Sequence, residues 1–151
     1  MGLYIEPPAE YTGRGPSLFL GGGITGCPGW QSEVVGLLTP LPLDILNPRR
    51  QNFPSNDPAA AQAQIEWEHR HLRWASAVLF WFPCETLCPI TLYELGAWSM
   101  TTKPLFVGTH PDYQRRRDVL IQTRLARPEI IVVDSLEGLV AQVRAGVGVN
   151  N

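Results

Sequence analysis

Ala77-Val-Leu-Phe-Trp-Phe82 is apolar at six consecutive positions and is stopped by Pro83. A strand without alternation has no wet face, so this one belongs in the middle of a parallel sheet covered by helices on both sides. Upstream, Asp57-Pro58 reads as a helix start, an N-cap acceptor followed by the residue whose missing N–H costs nothing at the first helical position. The spacing predicts a helix from there to about Ala75. Further out, Ser17 to Leu20 is a short strand stopped by Gly21-Gly22-Gly23, Trp30 to Leu38 is a helix, and Leu41 to Leu46 is a second short strand. Downstream come a helix to about Met100, a strand at Lys103 to Val107, a helix from about Gln114 to Ala126 and a strand at Ile130 to Val133. A capping box at Asp134-Ser-Leu-Glu137 opens the last helix, which fades by Gly146. Strands alternating with helices are the signature of right-handed β-α-β units, so the fold class is three-layer α/β with a five-stranded parallel sheet. Residues 1–16 hold Pro7, Pro8, Gly13, Gly15 and Pro16 without a sustained period and read as an N-terminal arm, leaving 17–151 as a single domain. Ligands in such sheets sit beyond the carboxyl ends of the strands, so loops 21–29, 47–56, 83–89 and 108–113 are expected to line one mouth.

Composition narrows the function. The 151 residues carry 12 basic and 14 acidic side chains, a net charge of -2, and the one basic run, Arg115 to Arg117, is too short for a backbone-binding stripe. Polymeric nucleic acid is therefore not an expected partner. Six strongly apolar residues in a row fall far short of the ~20 that span a bilayer, and no basic region feeds an apolar one at the N-terminus. The expectation is a protein without membrane contact, in the cytoplasm. Cys27, Cys84 and Cys88 are few and odd in number, which fits a reducing compartment better than a disulfide framework. Cys84 and Cys88 have the wrong gap for a redox C-x-x-C, and His69 and His71, two apart on a helix, face different ways; neither a metal nor a cofactor is expected. Gly21, Gly23 and Gly26 fit a G-x-G-x-x-G string, yet no strand-end acid follows about 20 residues on, and G-K-[ST] is missing, so neither a dinucleotide fold nor a P-loop is supported.

Two glutamates carry the chemistry. On a helical wheel with Ile65 at zero, Glu68 falls at about 300°, between Ala75 at about 280° and Leu72 at about 340°, inside the apolar stripe. A carboxylate there is either paired or chemically employed, because burial raises its pKa. Trp67 and Trp74 form a second apolar edge that a subunit interface or the N-terminal arm would cover. Glu94 lies in Thr91-Leu-Tyr-Glu-Leu-Gly96. Thr91 as N-cap with Glu94 three residues on makes a capping box. The same placement puts Glu94 at the sheet's carboxyl edge, where a helix N-terminus would keep it an anion able to attack an electrophile. One polarised and one buried carboxylate are the general kit for cleaving a glycosidic bond, and they also suit proton abstraction or the binding of sugar hydroxyls. The glycines from Gly21 to Gly29 would let a sugar or base lie flat against backbone, with Trp30 as a stacking wall or an ordinary core aromatic. Asn47 and Arg49 leave the second strand as base or sugar contacts or as solvated loop residues, and Tyr93 either orients Glu94 or enters the core.

Phe19-Leu-Gly-Gly-Gly-Ile-Thr-Gly26, Asn47-Pro-Arg-Arg50, Trp67-Glu-His-Arg-His-Leu72, Phe80-Trp-Phe-Pro83, Cys88-Pro-Ile-Thr-Leu-Tyr-Glu-Leu-Gly96, Lys103-Pro-Leu-Phe-Val-Gly108 and His110-Pro-Asp-Tyr113 together resemble the nucleoside 2-deoxyribosyltransferase-like family. The likeness covers about residues 17 to 140. It implies a flavodoxin-like three-layer α-β-α protein that cleaves the N-glycosidic bond of a nucleoside or nucleotide through a covalent deoxyribosyl-glutamate, and that glutamate falls on Glu94. The sugar would then pass to another free nucleobase, or to water in the hydrolytic branches, which act on nucleoside 5′-monophosphates; a non-catalytic nucleotide-binding protein is the third alternative. A second family acid matches Glu68. Where the best-known transferases carry an Asp six residues before the nucleophile, this chain has Cys88, so recognition of the base must differ. Gly21, Gly22, Gly23, Ile24 and Thr25 correspond to the segment that meets sugar and base, with Ile24 where an aromatic often stands. Relatives are dimers or hexamers, which implies a homo-oligomer.

Overall fold

The computed structural model describes residues 2–51, 53–54 and 56–148. Five parallel strands, β1 (Tyr4–Ile5), β2 (Ser17–Gly22), β3 (Asp44–Leu46), β4 (Ala77–Phe82) and β5 (Leu105–Thr109), form one sheet in the order β1-β3-β2-β4-β5. Among the described residues α1 (Trp30–Leu38) connects β2 to β3, α2 (Pro58–Trp74) connects β3 to β4, α3 (Pro89–Ser99) connects β4 to β5, and α4 (Arg116–Ala126) and α5 (Leu136–Gly148) follow β5. This is the expected α/β class with five parallel strands. Without β1 the strands run second, first, third, fourth across the sheet, the doubly wound flavodoxin-like order.

The period of two in a strand divides the core into two layers. Phe19, Val78, Phe80, Phe82 and Val107 face α2, α3 and α4, where they meet Trp67, Leu72, Leu95 and Val119. Leu18, Leu20, Leu79 and Trp81 face α1 and α5, against Val34, Leu38, Leu139 and Val143. β4 is buried on both faces between β2 and β5, as its uninterrupted apolar run requires.

Which segment supplies the fifth strand differs from the reading above. Residues 2–16 are not an arm outside the fold: Tyr4 and Ile5 pair with Ile45 and Leu46 and form the edge strand. Side chains hold this segment down, since Asp44 accepts from Leu3 N (2.8 Å) and from the Tyr11 hydroxyl (2.6 Å). At the other edge, Ile130 to Val133 makes a single bridge, Gly108 to Val133, with Thr109 N donating to Val133 O at 2.9 Å. That stretch has a neighbour on one side only and leaves Ile131 exposed, so little apolar burial favours a longer ladder.

Several boundaries also move, with β3 confined to Asp44–Leu46 and β5 placed at Leu105–Thr109. β2 continues through Gly21 and Gly22, which pair with Phe80 and Trp81, because β4 offers a ladder to glycines that have no strand propensity of their own. α3 begins at Pro89 with Cys88 as N-cap, so Thr91 is its third residue and not its cap. At α5 the capping oxygen belongs to Ser135, whose Oγ accepts from Gly138 N at 3.0 Å, and not to Asp134.

Candidate active site

β2 ends on the layer that packs against α2 and α3, and its Phe19 and Gly21 point to that side. A Cβ on Gly21 would stand 2.8 Å from the Phe80 ring, so only glycine fits against that neighbour. Between α2, α3 and the end of β2 lies a cavity of about 330 Å³, at the small end of the ~300–1,000 Å³ typical of small-molecule sites. Gly21 to Thr25 form one wall, Thr86 to Thr91 (apart from Leu87) another, and Glu68 from α2 and Glu94 from α3 both line it, with the charge of Glu68 acting on Glu94.

The wheel anchored on Ile65 needs rephasing. Ile65 is 65% exposed, while Trp67, His71, Leu72 and Ala75 are buried, so the inward face of α2 is centred between Trp67 and Leu72. Glu68 still falls within it. Trp67 is covered by the N-terminal segment: its Nε1 donates to Ala9 O at 2.7 Å and its ring stacks on His71 at 3.8 Å. Trp74 remains half exposed with Tyr11 against its edge. The Trp67 part of the second apolar edge is therefore used within the chain, and the Trp74 part is only partly covered.

The position of Glu94 changes its electrostatics. It is the sixth residue of α3, beyond the first turn in which the helix macrodipole acts, so no capping box forms and the helix end does not hold it as an anion. Burial first, and the charge of Glu68 second, push its pKa up to about 8. Glu68 is also raised by burial, while a hydrogen bond from Gln64 Nε2 (3.3 Å) pulls it back by favouring its anion. The same Gln64 amide donates to Pro48 O at 2.7 Å, tying α2 to the loop after β3. Like charges that share a cavity titrate as a unit, and Glu94 keeps its proton into the neutral range.

Gly22, Gly23, Ile24, Thr25, Cys88 and Thr91 line the same cavity. Four other residues singled out above serve elsewhere. Trp30 is buried under the loop, with its Nε1 donating to Gly23 O at 2.9 Å, and it forms no stacking wall. Arg49 donates to Pro28 O (2.6 Å), Gln31 Oε1 (3.0 Å) and Cys27 O (2.9 Å), so its guanidinium braces the glycine loop. Asn47 is buried, donating to the Tyr4 hydroxyl and accepting from Arg49 N. Tyr93 is 78% exposed on the outer face of α3 and enters neither core nor cavity. Phe19, Pro48, Thr86, Pro89 and Ile90 line the cavity without a chemical signal in the sequence; what foretold most of them was the expectation that the loops after β2, β3 and β4 share a mouth. The loop at 108–113 contributes a brace, the Tyr113 hydroxyl donating to Leu87 O at 2.6 Å.

Cys88 is the one non-glycine residue with positive φ (49°) among the described residues, a left-handed N-cap that costs on the order of 1 kcal/mol for a side chain with a Cβ. It places the thiol beside Thr86 Oγ1, at 3.3 Å, in the cavity wall. Among the described residues no helix is long and apolar enough to cross a membrane.

No curated protein matches the chain. The family described as nucleoside 2-deoxyribosyltransferase like matches residues 15–113, a span that runs from the start of β2 through β5 and holds Glu68, Glu94 and every residue of the cavity wall. By that match, over most of the chain and all of the site, the protein belongs to the nucleoside 2-deoxyribosyltransferase-like family.

Proposed function

We propose that the protein cleaves the N-glycosidic bond of a nucleoside with Glu94 as nucleophile and Glu68 as proton donor, and transfers the 2-deoxyribosyl group to another nucleobase. The observation that carries this reading is the carboxylate pair facing one cavity, coupled strongly enough for Glu68 to help lift Glu94 toward 8. A pair holding one proton has one oxygen free to attack and one proton to give, which is what displacement of a base from C1′ demands. In the resting protein the hydrogen bond from Gln64 favours charge on Glu68, so the proton rests on Glu94. An arriving base offers its ring nitrogen as an acceptor, and the proton moves by way of Glu68, directly or through water, as Glu94 becomes the anion. The Glu94 carboxylate then bonds to C1′, the C1′–N bond electrons pass to the base, and the base leaves protonated. A second base attacks the same carbon, Glu94 is released, and the proton returns to the pair; configuration is retained overall.

The charge of the cavity bears on the substrate. Its described lining residues include two carboxylates and no Lys, Arg or His, and Arg49 is committed to carbonyls of the glycine loop. An uncharged nucleoside suits such a wall better than a 5′-monophosphate.

The test is chromatographic: the protein is incubated with deoxyribonucleosides, ribonucleosides and their monophosphates, with and without a second free base. The expected result is a new nucleoside that appears only when the second base is present, and a sugar adduct on Glu94 trapped in a single turnover. Glu94→Gln is expected to bind substrate and form no product. Release of free base at an equal rate without an acceptor would make water the acceptor, and turnover by Glu94→Gln would remove the nucleophile from the scheme.

A further inference from the structure

Cys27 comes from the loop between β2 and α1, and Cys88 caps α3; both are free thiols, buried, and brought together around Gly23. A Cβ placed on Gly23 would lie 2.6 Å from Cys27 Sγ and 2.8 Å from Cys88 Sγ, so the two sulfurs occupy the space that a side chain would need. Thr86 Oγ1 touches both, at 3.6 Å and 3.3 Å. Cys88 also lines the cavity, which gives a small molecule a route to its sulfur. The remaining thiol, Cys84, is set against Glu85 Oε1 at 3.6 Å. Simple core packing explains buried sulfurs but not two of them bracketing a glycine at the wall of an open cavity.

We propose that Cys27 and Cys88 form a dithiol site that reacts with small organic disulfides and closes to an internal disulfide linking the glycine loop to the start of α3. The Cys88 thiolate attacks one sulfur of the reagent, the reagent's S–S bond breaks, and one thiolate departs. Cys27, deprotonated in turn, attacks the Cys88 sulfur of the mixed disulfide and expels the second thiolate. The protein loses two electrons and two protons, and the reagent is reduced to two thiols. The product ties one cavity wall to another, since the loop carries Gly21 to Thr25 and the cap carries Pro89 to Thr91. Burial raises the Cys88 thiol above its ordinary value, so the first step runs faster at pH 9 than at pH 7.

The probe is cystamine, a small dicationic disulfide matched to the two carboxylates of the cavity, applied to the full chain and followed by peptide mapping without reduction. The expected product is one Cys27–Cys88 cross-link, lighter than the dithiol by two hydrogens, reversed by dithiothreitol, with Cys84 unlinked. Because the bond joins segments far apart in sequence, the thermal midpoint is expected to rise by ~5 °C or more. Cys27→Ser is expected to stop at a stable cystamine adduct on Cys88; if that variant does not fold, the map of the unaltered protein decides. A cross-link through Cys84, or a persistent adduct on Cys88 with Cys27 intact in the unaltered protein, would overturn the proposal. The readout is a mass, so it stands or falls apart from any glycosidic activity.

Discussion

Glu94 carries a proton that most surface carboxylates have lost by pH 5, and this has consequences both for catalysis and for stability. The activity is expected to fall above about pH 8, as the pair loses its last proton, and to fall again in acid, where both carboxylates are protonated; a pH profile of kcat/KM checks both limbs. Removing the Gln64 amide in Gln64→Ala takes a donor from the Glu68 anion, so the acid limb is expected to move up in pH while the fold persists. A profile that does not move would assign Gln64 to tying Pro48 alone. The stability effect has the opposite sign from that of an ordinary paired carboxylate. Glu94 has a raised pKa in the fold, so its contribution is intact below the unfolded value of 4.5 and is lost as pH rises through about 8. Glu94→Gln should therefore match the parent near pH 4 and exceed it at pH 8.5 by about 2 kcal/mol, a figure discounted for partial exposure and measured by urea unfolding.

At the scale of elements, the N-terminal segment and α2 stabilise each other. Tyr11 N donates to His71 Nε2 at 3.1 Å, the His71 ring stacks on Trp67, and the Tyr11 hydroxyl reaches Asp44 at the start of β3. Glu10 adds an ion pair with Arg70. Burial and the Asp44 carboxylate push the Tyr11 phenol up to about 12, so it remains a donor at any working pH. Tyr11→Phe leaves Asp44 without that partner and is expected to cost about 1–2 kcal/mol, whereas Tyr11→Ala also opens a hole beside Trp74 and should cost about 3–5 kcal/mol. Denaturant midpoints at unchanged m-value would show both. At α3 the deciding feature is Pro89, which suits the first helical position because it has no N–H to leave unpaired. Starting the helix there carries Glu94 away from the macrodipole and into the cavity wall.

Across the whole molecule the buried titrations oppose each other, Glu94 and Glu68 on one side and His71 on the other. His71 is fully buried and neutral, its Nδ1–H directed at Trp67 O (2.7 Å), and burial lowers its pKa. Its contribution is present above the unfolded value of 6.5 and is lost as pH falls through the depressed folded value. Glu94 gains stability over the same fall in pH, so the intact protein should show a shallow dependence between about pH 6.5 and 4.5. Glu94→Gln removes the larger carboxylate contribution, leaves that of Glu68, and should lose stability more steeply than the parent below pH 6.5; a slope equal to the parent's would show that Glu94 adds no stability over that range.

Much of this was legible along the chain because it depends on near neighbours. The apolar run at 77–82 can only be a strand covered on both faces, Asp57-Pro58 can hardly be other than a helix start, and Glu68 lies on the inward side of α2 even when the wheel is anchored on the wrong residue. Contacts between distant segments decided the rest. Tyr4 and Ile5 become a strand only because β3 offers them a ladder, Arg49 and Trp30 turn from ligand contacts into braces because the carbonyls of the glycine loop lie within reach, and Gly21 and Gly22 extend a strand because β4 runs beside them. The proton on Glu94 belongs to the same class: its pKa is set by the low dielectric around it and by a second carboxylate 26 residues earlier in the chain, and both exist only once α2 and α3 have packed on one face of the sheet.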